Sequence, residues 1–247
     1  MRSNIRIFQE QFIVHIKKYR TLYHLVRALY RILTLKTFKS LLFKKHFKRN
    51  SFEILVSAKR ALDSSKVKFW IDFGTLLGIY REGDVIENDL DMDLGMYLSE
   101  YTEKVDNAFY KEGFKLYRKI VIDEGKYGLE VSFIKKGIKI DLFCYSKFNS
   151  HLFKVHSFSN FPGLGLTKSI KEKGGLRVIE QYMPLKNFKV ISFKDEEFLI
   201  PSNTEEYLSY HYGKDFMTPR RWDYTDLDND NIHAIVLDDK VGKVYFG

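Results

Sequence analysis

The sequence predicts an α+β fold, in which a mixed β-sheet is flanked by helices and follows a basic helical N-terminal extension. Apolar runs of strand length alternate with segments of helical period, and short turns separate them. Of the 247 residues 45% are hydrophobic, which is enough for a real core and excludes a disordered or collagen-like chain. Residues 1–50 contain 13 basic residues and one acidic residue, whereas the remaining 197 contain 28 and 31. We therefore expect an extension over residues 1–50 and a main domain over residues 51–247.

The extension has the pattern of an amphipathic basic helix. Apolar residues recur at steps of three or four between Ile5 and Leu33, with arginines and lysines between them. A second basic stretch runs from Lys36 to Arg49. Such a segment can lie in a bilayer interface, where its basic side chains meet anionic headgroups. We expect residues 1–50 to make a peripheral membrane contact, and the pattern leaves open a helical hairpin that packs on its own domain or on a second copy.

The amino-acid composition also limits the cellular compartment and the binding partners that we expect. The sequence contains no run of about 18 or more uncharged apolar residues, so we expect neither a membrane span nor a signal peptide. Cys144 is the single cysteine, which excludes an intramolecular disulfide and a cysteine-based zinc cluster. Because the basic excess is confined to one segment, we expect no nucleic acid partner. The expected location is the cytoplasm, at the inner face of the membrane.

Predicted elements follow one another closely in the main domain. In chain order they are a helix over 51–62, a strand over 67–73, a short helix over 74–80, a strand over 90–96, a helix over 101–112 and strands over 114–122, 129–135 and 138–146. Beyond the last of these strands, the stretch around Phe161–Gly165 predicts a long loop. A strand over 189–193 follows. The final helix begins at Ser202 and Glu205, which have capping-box spacing, and ends at Gly213.

Three acidic residues have the spacing of a metal site. Asp91 and Asp93 alternate with apolar residues on a predicted strand, so both carboxylates project from one face. Asp141 interrupts an otherwise apolar strand, where a carboxylate has to be paired, hydrogen-bonded or metal-bound. Carboxylate oxygens suit a hard cation, so we expect Asp91, Asp93 and Asp141 to bind Mg²⁺ or Mn²⁺. For Asp141, pairing with a neighbouring lysine stays open as an alternative.

Gly74, Thr75 and Arg81 are the predicted phosphate-binding residues. Gly74 and Thr75 stand at a strand-to-helix turn, and a helix N-terminus binds anions through its unpaired N–H groups and its dipole. Arg81 follows on the same helix, and its planar guanidinium suits phosphate oxygens. Two simpler interpretations stay open, an ordinary turn glycine at Gly74 and a surface salt bridge at Arg81.

Two sequence runs carry a resemblance to a known family. Trp70–Gly78, followed by Arg81, and Asp89–Gly95 resemble the signature of the LicD and fukutin-related phosphotransferases, which belong to the nucleotidyltransferase superfamily. Asp141 falls where the third carboxylate of that superfamily is expected, and the C-terminal run Phe198–Leu208 is also similar to LicD proteins. The resemblance implies a nucleotidyltransferase-like fold for the main domain.

The resemblance is uneven along the chain. It covers residues 52–222, is most specific over residues 70–95, and offers no motif over residues 147–188. Glu87 and Asn88 stand where the family often has Pro-Trp. This departure concerns the donor pocket and leaves the three predicted metal ligands intact.

The implied activity is the metal-dependent transfer of a phospho-alcohol, of the phosphocholine, glycerol phosphate or ribitol phosphate type, from a CDP-activated donor. The implied acceptor is a sugar hydroxyl of a cell-surface glycan or lipid-linked oligosaccharide, as in lipopolysaccharide, capsule or teichoic acid. In this interpretation Asp141 accepts the proton of the acceptor hydroxyl. Five residues are assigned to the donor: Asp72, Gly74, Thr75, Arg81 and Asp89.

Two other functions remain open from the sequence. A strict nucleotidyltransferase would use the same three carboxylates, keep the nucleotide on its product and release pyrophosphate. A catalytically inactive domain with a basic extension would instead bind a membrane or a nucleic acid. The intact Asp91, Asp93 and Asp141 argue against the inactive domain.

Overall fold

The computed structural model describes residues 35–86, 89–219 and 234–247, together with the helical positions Leu22, His24, Leu25 and Ala28. The chain divides into two compact units, Met1–Phe47 and Lys48–Gly247. Most of the predicted extension lies outside the described residues, including the amphipathic pattern over residues 5–33, and so do Glu87 and Asn88. No helix in the described part of the chain has both the length and the apolar content to cross a membrane.

Helix α1 (Leu35–Ser65) begins just before the second basic stretch and runs through it, so the helix start predicted at Ser51 is wrong. Lysine and arginine are good helix formers, and the basic composition before Ser51 therefore does not interrupt the helix. The predicted domain boundary between residues 50 and 51 falls inside this helix, and the division into an extension and a main domain stays a prediction. Within the second unit, seven residues of α1 are fully buried along one side of the helix: Ser51, Ile54, Leu55, Ser57, Ala58, Ala61 and Leu62.

The second unit is built on an eight-stranded mixed sheet. Its strands are β1 (Phe69–Ile71), β2 (Asp91–Tyr97), β3 (Lys115–Ile122), β4 (Gly128–Lys135), β5 (Ile138–Lys147), β6 (Phe153–Ser159), β7 (Leu176–Met183) and β10 (Ala234–Phe246). The spatial order is β1-β2-β5-β4-β3-β10-β7-β6, and β5 also pairs with β6, so the strands from β5 to β6 close on themselves. β2 and β5 run parallel to each other. A separate hairpin joins β8 (Phe188–Phe193) and β9 (Glu196–Pro201).

Four further helices belong to the described part of this unit: α2 (Phe73–Glu82), α3 (Glu103–Lys111), α4 (Leu166–Lys173) and α5 (Thr204–Tyr212). The predicted α+β architecture, a mixed sheet flanked by helices, is confirmed. The predicted elements from the short helix at Gly74 to the strand that carries Asp141 are also confirmed, within a few residues at each end.

Two predictions beyond β5 are wrong, and two further strands were not predicted. The segment Phe161–Gly165 is a loop, but the long loop expected around it also contains β6, α4 and β7. Strands β6 and β7 were missed because each carries a buried polar residue, His156 on β6 and Glu180 on β7, which interrupts the apolar pattern of a strand. Helix α5 has Asn203 and not Ser202 as its N-cap residue. The sequence patterns also failed to indicate β9 and β10, and the register of β10 shifts at a charged stretch that interrupts its apolar alternation.

A close contact between β1 and β2 fixes the strand that carries the acidic residues. Trp70 on β1 is fully buried and is the register partner of Gly95 on β2. A Cβ atom at Gly95 would lie 2.3 Å from the indole ring, so the ring can lie across β2 only because residue 95 is a glycine. Trp70 also packs edge-on against Tyr97 and Tyr145. The indole therefore holds β2 against β1.

Candidate active site

Asp91, Asp93 and Asp141 meet on one face of the sheet, as the sequence predicts. β2 and β5 are parallel neighbours, and the backbone register pairs Asp93 with Asp141. Asp91 lies two residues before Asp93 and therefore on the same face of β2. Asp141 is buried, whereas Asp91 and Asp93 are partly exposed. Together with Asp89, these residues are called the acidic cluster below.

Lys139, which the sequence analysis did not single out, lies within this cluster. It is the register partner of Asp91. Its Nζ donates a hydrogen bond of 2.6 Å to Asp91 Oδ2 and lies 3.6 Å from Asp141 Oδ2. One feature of the sequence could have identified Lys139. It lies two residues before Asp141, and this spacing places both side chains on the same face of β5. The alternative of a neighbouring lysine as a partner of Asp141 is therefore confirmed.

The N-terminus of α2 is tied to Asp93. The N–H of Gly74 donates to Asp93 Oδ2 at 2.9 Å, and the hydroxyl of Thr75 accepts the N–H of Asp93 at 2.8 Å. Phe73, the first residue of the helix, has a φ of 36°, a strained value for a residue other than glycine. Its ring is held edge-on by Phe143. Gly74 and Thr75 thus contact the acidic cluster directly, and their binding of phosphate stays a prediction.

Negative charge is concentrated around Asp93. A Cβ atom at Gly74 would lie 3.0 Å from Asp89 Oδ2 and 3.1 Å from Asp93 Oδ2, so these two carboxylates converge on the start of α2. Loss of hydration, followed by the charges of Asp91 and Asp141, raises the pKa of Asp93 well above its ordinary value. Loss of hydration and the charge of Asp91 raise the pKa of Asp89 to about 6. Burial raises the pKa of Asp141 as well.

Asp72 lies beneath the start of α2 and is fully buried. As the N-cap residue it accepts the N–H of Phe73 at 2.9 Å, and its two carboxylate oxygens accept the hydroxyls of Tyr145 and Tyr207, each at 2.6 Å. Burial raises the pKa of Asp72 to about 6, although the tyrosine hydrogen bonds act in the opposite direction. These contacts join α2 to β5 and α5. The assignment of Asp72 to the donor stays a prediction.

Arg81, at the other end of α2, forms the salt bridge that the simpler interpretation expects. Its guanidinium contacts the carboxylate of Glu82, and one Nη donates to the carbonyl of Phe216 at 3.2 Å. The charge of Arg81 also lowers the pKa of Asp89, against the stronger effects that raise it. The positive charge of Arg81 therefore acts on the acidic cluster through Asp89.

The donor set of the cluster fits a divalent cation chemically. Asp141 Oδ1 is buried and makes no hydrogen bond, and carboxylate oxygens are the ligands that Mg²⁺ and Mn²⁺ prefer. Within the described residues, no group of three or more His, Cys, Asp or Glu side chains is already arranged to hold a metal ion. Lys139 stands between two of the three predicted ligands, Asp91 and Asp141.

Residues 66–173 match the family described as "LicD/FKTN/FKRP, nucleotidyltransferase domain". This part of the chain is similar to LicD-type nucleotidyltransferase domains. The matched residues contain α2, β2 and β5, and with them the whole acidic cluster and Lys139. The match extends to residue 173, so it includes part of the stretch 147–188 in which the sequence offered no motif.

Curated relatives agree with this family. The chain is 29% identical over 180 residues to the ribitol-5-phosphate transferases FKTN of Macaca fascicularis and Homo sapiens, which covers 72% of the chain. It is 46% identical over 39 residues to the ribitol 5-phosphate transferase FKRP of Homo sapiens, which covers 16% of the chain and 8% of that relative. The match to the FKTN proteins covers 36% of their length, so the chain matches about a third of each.

Proposed function

We propose that the protein is a metal-dependent phosphotransferase that moves a phospho-alcohol from a CDP-activated donor to a sugar hydroxyl. The observation that carries this proposal is the meeting of Asp91, Asp93 and Asp141 on one face of two parallel strands, next to the N-terminus of α2. The names of the FKTN and FKRP relatives favour ribitol phosphate among the transferable groups. Glycerol phosphate and phosphocholine are the alternatives to include in a test.

The acidic cluster supplies the residues that would hold Mg²⁺ or Mn²⁺, namely Asp91, Asp93 and Asp141. When bound, a divalent ion would neutralise the donor diphosphate and the departing CMP. Asp93 is fixed for this task because its carboxylate accepts the N–H of Gly74 and its own N–H is held by Thr75. This rigid placement keeps the ligand oxygens in position without a conformational search.

In the proposed reaction the acceptor hydroxyl oxygen bonds to the phosphorus that carries the alcohol. The bond from this phosphorus to CMP breaks, and CMP leaves. The hydroxyl proton passes to a carboxylate oxygen of Asp141. This oxygen is suited to accept a proton because burial raises the pKa of Asp141 and its Oδ1 makes no hydrogen bond within the protein.

The donor would lie along α2, between its two ends. Gly74 and Thr75 stand at the N-terminus, where the helix dipole favours an anion, and Arg81 stands near the opposite end of the helix. The guanidinium of Arg81 can exchange Glu82 for a donor phosphate, since phosphate offers the same planar pair of oxygens.

The acceptor is proposed to be a cell-surface glycan, assembled on a lipid carrier at the cytoplasmic face of a membrane. The basic excess of residues 1–50 supports this part of the proposal, because a positively charged amphipathic segment binds anionic lipid surfaces. A peripheral contact through this segment would bring the acidic cluster close to a lipid-linked acceptor.

Product analysis tests the proposed function. The protein is incubated with CDP-ribitol, CDP-glycerol or CDP-choline and Mg²⁺, and CMP is measured with and without EDTA. We expect CMP from at least one donor, and we expect EDTA to stop its release. A release of pyrophosphate from CTP and a phospho-alcohol, with no CMP from any donor, would contradict the proposal and favour a strict nucleotidyltransferase.

A further inference from the structure

Lys139 lies between two carboxylates of the acidic cluster. Its Nζ is 2.6 Å from Asp91 Oδ2 and 3.6 Å from Asp141 Oδ2, and its side chain is 26% exposed. The parallel register opposes Lys139 to Asp91, while the pleat of β5 places it on the same face as Asp141. The position of the ammonium is therefore set by the backbone of both strands and is not the chance contact of a surface side chain.

The same two carboxylates are predicted metal ligands. The amine of Lys139 forms ion pairs with both carboxylates, so the side chain carries a positive charge at this site. An ammonium and a divalent ion repel each other and compete for the same oxygens. Asp141 Oδ1, which is buried and makes no hydrogen bond, is an additional oxygen that the ammonium does not use.

We propose that Lys139 is a positioning residue that acts as a built-in competitor of the metal. Its ammonium pairs with one oxygen of Asp91 and one oxygen of Asp141, and a divalent ion that binds these two oxygens has to displace it. Lys139 thereby weakens metal affinity and makes occupancy of the site depend on the concentration of the free ion. This inference rests on the proposed function, because it assumes that the acidic cluster binds a divalent cation.

Mn²⁺ binding to the full-length protein tests this role without any turnover. The affinity for Mn²⁺ alone is measured by calorimetry or electron paramagnetic resonance for the wild type and for Lys139→Met. Removing one positive charge from the contact distance of a divalent ion should tighten binding about tenfold. Thermal melting supplies a second readout. Lys139→Met should melt below the wild type without Mn²⁺, because two carboxylates lose their counter-charge, and should gain more in melting temperature when Mn²⁺ is added.

Lys119→Met is the matched control. The side chain of Lys119 is 25% exposed, and its Nζ lies 3.1 Å from Asp106. The variant therefore removes an ion pair of similar burial that lies outside the acidic cluster. It should lose stability while its Mn²⁺ affinity stays at the wild-type value. If Lys139→Met does not fold, Lys139→Gln removes the same charge and keeps a polar side chain.

Two failures of the test are distinguishable. If no variant binds Mn²⁺, the metal-dependent function itself is contradicted. If the wild type binds Mn²⁺ and both Lys139 variants bind it with equal or lower affinity, only the role of Lys139 is overturned. A loss of affinity for a CDP-alcohol together with unchanged Mn²⁺ affinity would also overturn it, because Lys139 would then be a phosphate ligand.

Discussion

Asp93 and Asp141 are register partners on the parallel strands β2 and β5. The chain reaches β5 from β2 only after α3, β3 and β4, so this pairing brings together two carboxylates that are far apart in sequence. Burial raises the pKa of both carboxyls, and the charge of Asp141 raises that of Asp93 further. Several neighbouring carboxylates do not stabilise a fold, because their negative charges repel one another. The arrangement is therefore best explained by a function.

Replacing Arg81 by alanine should weaken donor binding. We assign the guanidinium of Arg81 to the donor phosphate, and a charge-assisted hydrogen bond is worth about 1.5–3 kcal/mol, or roughly tenfold or more in affinity. The KM for CDP-ribitol measures the effect. Arg60→Ala, which removes an exposed ion pair with Glu112, is the control. If donor affinity and rate are both unchanged in Arg81→Ala, Arg81 has only its salt bridge to Glu82.

Tyr207→Phe should lower stability without changing Mn²⁺ affinity. The hydroxyl of Tyr207 donates to the fully buried carboxylate of Asp72, and a hydrogen bond to a charged group contributes about 1.5–3 kcal/mol. Denaturant unfolding measures this loss of free energy, and Tyr117→Phe, at an exposed position, should show none. Wild-type stability in Tyr207→Phe would remove the argument that Asp72 joins α2 to α5.

The sequence predicted the elements around the acidic cluster because local signals agree there. An alternation of acidic and apolar residues marks β2, and a turn glycine after an apolar strand marks the start of α2. Lys139 was not found because a lysine on a strand is usually solvated, and only the parallel register shows that it faces Asp91. Such pairing is a non-local property that periodicity along one strand does not contain.

The C-terminal half was predicted less well for a related reason. In β6 and β7 the residues that face inward include His156 and Glu180, which pair with each other across the strands. Inward polar residues remove the apolar alternation by which strands are recognised. These two residues face inward because the sheet closes through the pairing of β5 with β6, and the local sequence does not contain that pairing.

His156 should make an increasingly unfavourable contribution to stability as the pH drops from about 6.5 towards 4. Burial lowers the pKa of His156 to about 4, while an unfolded histidine titrates near about 6.5. Between these values the unfolded chain binds a proton that the folded chain does not, so acid favours unfolding. His156→Gln should show a shallower decrease in melting temperature over this window. Asp72 and Asp89 have raised pKa values, so their contributions to the pH dependence act in the opposite direction. Both proteins contain these aspartates, and the difference between their melting temperatures therefore reports on His156. Equal slopes would contradict this account.

Basic residues of the extension should control binding to anionic vesicles. A variant with Lys17, Lys18, Arg20, Arg27 and Arg31 changed to glutamine keeps the apolar pattern and removes five positive charges. Each charge near an anionic surface contributes about 1 kcal/mol, so the variant should fail to co-sediment where the wild type does. Wild-type binding should weaken at high salt and be absent on neutral phosphatidylcholine. Equal co-sedimentation of both proteins would contradict a membrane role for residues 1–50.

The catalytic role of the acidic cluster is tested most directly by Asp93→Asn. The asparagine oxygen can still accept the N–H of Gly74, so α2 stays tied to β2, while one negative charge is lost. Because the folded state raises the pKa of Asp93, removing its charge should leave the melting temperature equal or higher at neutral pH.

The decisive measurement is the rate of CMP release from CDP-ribitol, or from whichever donor the panel identifies, by Asp93→Asn in the presence of Mg²⁺. Asp63→Asn, at a largely exposed position on α1, serves as the control and should keep the wild-type rate. We expect Asp93→Asn to lose a factor on the order of a thousand or more, since charge stabilisation by a metal supplies several kcal/mol of the barrier reduction. A folded Asp93→Asn protein that releases CMP at a rate close to the wild type would contradict the account.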